Sequence, residues 1–161
     1  MKRILIVLLI LCAGVTKAQD NSHNLNIITA PGAYNDGFNV GVQWDFQMGI
    51  PYIGVELFHF AELNDITYNH VVLRAGVGYE IGNPVGVQWR GNIGFRGGRV
   101  FRTGHQGPFA LLGLEIGAQM TLPSGLYGKL VYGRDTKTDS AIWHEDDHTV
   151  DSVFIGIGVR M

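Results

Sequence analysis

Residues Val85 to Arg96 read VGVQWRGNIGFR. Val85, Val87, Trp89, Gly91, Ile93 and Phe95 fall on one side of an extended chain; Gly86, Gln88, Arg90, Asn92, Gly94 and Arg96 fall on the other. A period of two marks a strand with two unlike faces. One face here is apolar. The other mixes glycine with charge, and that second face decides the fold.

The pattern recurs in both directions. Phe38 to Gln47 sets Phe38, Val40, Val42, Trp44 and Phe46 against Asn39, Gly41, Gln43, Asp45 and Gln47. Tyr52 to Phe60, His70 to Ile81, Phe109 to Leu122, Leu126 to Arg134 and Val150 to Met161 alternate in the same way, and His23 to Thr29 does so more weakly. That gives eight strands. The connections are expected to alternate, with long loops starting near residues 30, 61, 97 and 135 and short turns near 48, 82 and 123. An even number of strands with long loops at one end and short turns at the other is the layout of an outer-membrane barrel. At a tilt near 45°, the roughly 11 residues from Val85 to Phe95 span about 25 Å of membrane.

A soluble barrel would carry the same alternation turned inside out. Two features argue against it. Much of the glycine lies on the polar face: Gly41, Gly54, Gly76, Gly78, Gly86, Gly94, Gly113, Gly117, Gly156 and Gly158. On a solvated face glycine weakens a strand and packs nothing. Inside a narrow barrel it makes room for long side chains, because eight strands leave an interior only wide enough for side chains. The apolar face also carries Trp44, Phe46, Tyr79, Phe95 and Tyr132, residues suited to membrane interfaces.

The N-terminus agrees with export. Lys2 and Arg3, the apolar run Ile4 to Leu11 and the small residues around Thr16-Lys17-Ala18 form a secretory signal, with cleavage expected before Gln19. The expected division is thus a cleaved signal over 1–18 and a barrel over 19–161. Cys12, the one cysteine, lies in the signal after Leu11, which is too large for a lipoprotein site. Removing the signal takes Lys2, Arg3 and Lys17 and no acid, which leaves an acidic mature chain. That argues against nucleic acid or anionic surfaces as the main partner.

Residues 19 to 161 resemble the small outer-membrane barrels of the OmpA/OmpX type. The resemblance implies an all-β, eight-stranded, antiparallel up-and-down transmembrane barrel in the outer membrane, in contact with the lipid bilayer and lipopolysaccharide. The final strand, Phe154-Ile155-Gly156-Ile157-Gly158-Val159-Arg160-Met161, is similar to the C-terminal assembly signal of those proteins. The resemblance implies that Gly156, Val159 and Met161 are read by the outer-membrane assembly machinery. Met161 replaces the usual terminal aromatic, and Phe154 replaces the usual polar residue.

Parity places Asp45, Glu56, Glu80 and Glu115 with Arg74, Arg90, Arg96, Lys129 and Arg160 on the lumen face. Buried charges require partners, so these residues are expected to plug the lumen with ion pairs, with Glu56, Arg74, Arg90, Glu115 and Arg160 as its structural charges. Trp143-His144-Glu145-Asp146-Asp147-His148 is the densest set of metal-type ligands, in an acidic loop that reads as solvated. His59, His70 and His105 read as surface or interfacial histidines. No phosphate-cradling or nucleotide motif is present. The reading is a barrel without enzyme activity, metal or cofactor, acting through its loops in adhesion, recognition or envelope maintenance. The alternatives are a lipid-modifying envelope enzyme of the lipid A deacylase or acyltransferase type, with Ser140 or Ser152 beside His144 and His148, and a narrow channel.

Overall fold

The computed structural model describes residues 21–31, 39–63, 66–82, 86–104, 109–137 and 149–161. Residues 1–18, expected to form a signal, and the Trp143–His148 set lie outside these residues. Eight strands run in order: β1 (Ser22–Thr29), β2 (Asn39–Gln47), β3 (Pro51–Leu63), β4 (Ile66–Gly82), β5 (Gln88–Arg102), β6 (Phe109–Thr121), β7 (Leu126–Lys137) and β8 (Thr149–Arg160). Each pairs antiparallel with the next, and β8 pairs with β1, so the sheet closes. Closure leaves no strand edge along the wall, which is what a sheet in lipid requires.

The alternation becomes an inside-out distribution. Apolar side chains at mid-wall are largely exposed on the outer surface, as with Leu73 at 66%, Phe95 at 68% and Leu112 at 68%. Glu56 and Arg96 are fully buried at 0%, and Arg74 is at 2%. The outward surface is therefore greasy and the interior charged, the reverse of a soluble barrel. Trp44, Phe46 and Trp89 gather toward the short-turn end, where His23 stacks on Trp44 and Phe46 with ring centroids at 5.8 and 4.8 Å. Phe95 lies at mid-strand rather than at an interface.

Several expected boundaries move. The predicted loop from 61 to 69 is mostly strand: β3 continues to Leu63, β4 starts at Ile66, and those two residues pair. The connections therefore do not alternate strictly between long and short. Gly97 to Arg102 also belongs to strand β5, and β7 reaches Lys137. In each case polar residues and glycines looked like loop, but the ladder to the neighbouring strand continues through them. At its other end β5 starts later than the periodicity suggests, at Gln88, because Gly86 takes a positive φ of 79° in the preceding turn. At the β6–β7 turn, Gly125 has φ 83° and donates from its N–H to the Leu122 carbonyl at 2.9 Å. That left-handed position suits glycine.

Substitution of two glycines should separate inner-wall crowding from lipid-facing freedom. A Cβ at Gly98 would meet the Val71 carbonyl and lie 2.8 Å from the Val72 Cα, whereas one at Gly128 would meet nothing within 4 Å. Gly98→Ala should lower stability by about 1–3 kcal/mol. Gly128→Ala should be neutral or slightly stabilising. Urea unfolding in micelles, followed by the gel-mobility difference between folded and unfolded protein, measures both.

Candidate functional site

The interior is organised by rows of residues that face one another across successive ladders. One row runs Asp45, Gly54, Arg74, Arg96, Gly113 and Asp135 from β2 to β7. All six positions point inward, and the row reads the same from either end. Its centre is a like-charge pair, Arg74 opposite Arg96, an arrangement that by itself is repulsive. Each arginine escapes outward along the row. Arg74 Nη1 reaches across Gly54 to Asp45 Oδ1 at 2.6 Å, and Arg96 Nε reaches across Gly113 to Asp135 Oδ1 at 3.1 Å. The glycines are required for that reach: a Cβ at Gly54 would collide with Asp45 Oδ1, and one at Gly113 with Asp135 Oδ1.

Glutamates from the neighbouring rows complete both guanidinium groups. Glu115 receives Arg74 through Nε (2.8 Å) and Nη2 (2.5 Å). Glu56 receives Arg96 through Nη2 (2.7 Å) and Nη1 (3.3 Å). These are two-point contacts, which fix orientation as well as supply energy. Arg96 also lies 3.5 Å from Glu115, and Arg74 lies 3.9 Å from Glu56, so the two halves form one cluster. Glu115 accepts a further hydrogen bond from the Tyr52 hydroxyl. Tyr52 lies over Gly76 and Gly94 to reach it, and a Cβ at either glycine would strike its ring or hydroxyl. Lys129 Nζ donates to Asp45 Oδ2 (2.8 Å) and Gln43 Oε1 (2.9 Å), and Gln43 Nε2 donates to Glu56 Oε2 (2.9 Å). His70 Nε2 lies 2.9 Å from Glu56 Oε1.

The lumen thus has three levels. On the loop side of the ion cluster, an apolar layer of inward residues includes Phe58, Phe60, Tyr68, Val72, Val100 and Phe154. Arg96 holds its guanidinium carbon 4.5 Å from the Phe154 ring centre, which joins layer to cluster. Phe58 meets Phe60 and Phe154 at 4.7 and 5.6 Å between centroids. On the short-turn side the inward residues among those described are polar, with Arg90 and Arg160 as charges near the mouth, and include Ser22, Asn24, Gln47, Asn92, Gln119 and Thr121.

The five sequence-predicted charges do not form one set. Glu56, Arg74 and Glu115 meet in the cluster. Arg90 does not: its Nη2 donates to the carbonyls of Gly49 (2.7 Å) and Gly78 (2.6 Å) rather than to a carboxylate. It starts β5 near the short-turn end, below the acids, and its ladder partner Glu80 is solvent-exposed. Arg160 likewise sits at the mouth, where its Nη1 donates to Gln88 Oε1 at 2.6 Å. Parity gives the face of a residue but not its height. The same limit hid Asp135, which had read as the first residue of a loop, and His70, which is buried at 2% rather than superficial.

Ser152 is buried in the lumen at 3%, facing away from lipid. Ser140, His105, His144 and His148 lie outside the described residues. Among the described residues no three acidic, histidine or cysteine side chains converge as a metal site.

Solved structures show the same fold. The N-terminal β-barrel domain of Pseudomonas aeruginosa OprF aligns over 88% of this chain and 98% of its own, with a TM-score of 0.55 and 14% identity. A de novo designed transmembrane β-barrel aligns over 89% and 98%, with a TM-score of 0.54 and 16% identity. Neisserial surface protein A aligns over 88% and 94%, with a TM-score of 0.52 and 12% identity. No protein family matches the sequence, and no curated relative matches it. The chain therefore has the fold of the small eight-stranded transmembrane barrels, a fold shared by natural and designed proteins and so silent about task.

Truncating the cluster should cost more than truncating the arginine below it. Arg74→Ala leaves Asp45 and Glu115 without their main cation and should destabilise the barrel by about 3–5 kcal/mol. Arg90→Ala frees only backbone carbonyls and should cost about 1–3 kcal/mol. Equilibrium unfolding of the two variants in the same micelles gives the comparison.

Proposed function

We propose that the protein is an outer-membrane barrel with a closed lumen that acts through its loop-end surface, in adhesion, recognition or envelope maintenance. The observation that carries this reading is the ion cluster with the apolar layer stacked on it. Arg74 and Arg96 reach from the middle of the wall to β2, β3, β6 and β7, so the cluster occupies the width of the interior. An eight-stranded barrel has little space beyond that. With the middle and loop side of the interior given to structure, what faces the exterior for recognition is the outside of the wall and the segments joining strands at the loop end.

Three further features support the reading. The outward band of apolar residues matches a bilayer. The outward cation Arg99, near the loop end of β5, is placed to meet anionic headgroups such as those of lipopolysaccharide. The exposed Val159 and Met161, with Gly156 on the inner face, leave β8 suited to recognition by the assembly machinery before closure. The burial of Ser152 favours a role without catalysis over the lipid-modifying alternative, since a lipid substrate would approach from the outer face.

Two measurements test the proposal. Fractionation should place the protein in the outer membrane, with boiled and unboiled samples migrating differently; recovery as a folded soluble monomer would overturn it. In planar bilayers the purified protein should show no steady conductance. Stable single-channel openings would mean that the cluster is a gate in a path and not a plug.

A further inference from the structure

We infer that the short-turn mouth of the lumen is a binding site for a small soluble oxyanion of the phosphate class, held by Arg160. Several buried polar atoms have no partner in the protein, and this end of the barrel holds Ser22 Oγ, Asn24 Oδ1, Arg90 Nε, Asn92 Nδ2 and the Tyr127 hydroxyl. They sit at the starts of β1, β5 and β7, all on the short-turn side. Buried polar groups are satisfied in native proteins, so a concentration of unsatisfied ones marks where something from solution enters.

A pocket of 340 Å³ opens at this end, with Ser22, Gln88, Thr121 and Arg160 as its inward polar lining, and of the atoms just named Ser22 Oγ is the one on a lining residue. Its polar side chains are mainly donors. Arg160 commits Nη1 to Gln88 Oε1, which leaves the rest of its donor fork and the Gln88 amide N–H groups available. Thr121 Oγ1 accepts from Gln119 Nε2 at 3.1 Å, so its own hydroxyl is left to donate. Ser22 is only 4% exposed, and its hydroxyl has no partner. Among the described residues no carboxylate lies within ion-pair distance of Arg160. Glu80 faces Arg90 in the β4–β5 ladder. Donors and an uncompensated guanidinium around one pocket suit an oxyanion, for which arginine's fork is the preferred partner.

The same chemistry is offered by a dissolved phosphate and by a phospholipid headgroup, and the test separates them. Isotopically labelled protein in maltoside micelles is titrated with sodium phosphate at constant ionic strength. Saturable shifts are expected at the amides of Ser22, Gln88, Thr121 and Gly125. Gln88→Glu sets a carboxylate against Arg160 and should weaken binding at least about tenfold while keeping the barrel folded. Arg160→Gln should do the same, with heat-modifiable migration as the folding control. Repeated in phosphatidylglycerol nanodiscs, the titration should be unchanged. Absent or non-saturable shifts, or a Gln88→Glu variant that binds as the parent does, would overturn the site. A response lost only in the nanodiscs would assign it to a lipid headgroup and overturn the soluble ligand.

Discussion

Two arginines that face each other on adjacent strands are the constraint around which this interior is built. Arg74 and Arg96 are ladder partners, and left alone they would repel at the centre of a low-dielectric lumen. The row that contains them supplies the remedy: a glycine beside each arginine, then an aspartate beyond the glycine. Each guanidinium extends over the small residue to its acid, and Glu115 and Glu56 close the remaining donors from above and below. Four carboxylates then surround Arg74, Arg96 and Lys129, with the His70 ring against Glu56.

That arrangement fixes register more than it adds stability. Buried ion clusters often contribute little net free energy relative to apolar replacements, but a half-satisfied one is costly. A one-residue slip of β4 against β5 would turn the charged face to lipid. A two-residue slip would keep the faces but set Arg74 opposite Gly94 or Gly98, and the line of glycines and aspartates would no longer match. The cluster thus selects one pairing among those that alternation alone permits. The apolar layer stacks on it on the loop side, and a polar layer lies below it.

The strands and their two faces were legible in the sequence because a period of two is a local property. Glycine on the polar face gave the inversion, since room inside a narrow barrel is the physical use for it. What parity could not give was height and partnership. Arg74 and Glu115 are 41 residues apart on strands that do not pair, and only the accumulated register brings them together. Arg90 has the same parity as Arg96 but lies below the acids. Phe58, Phe60 and Phe154 break the polar pattern of the inner face, and that break was the available sign of the apolar layer; Phe154 stood out only as a departure from the terminal-strand pattern. The β3–β4 hairpin was hidden by polar residues that read as loop.

The claim that these charges act as one coupled cluster is tested most directly by a double-mutant cycle on Arg74→Met and Glu115→Leu, with unfolding free energies measured in a single micelle system. Strong coupling is expected: the double variant should be more stable than the sum of the single losses implies by about 1.5–3 kcal/mol, the range for hydrogen bonds to charged groups. Losses that add to within about 0.5 kcal/mol would contradict it, showing that the two side chains stabilise the barrel independently.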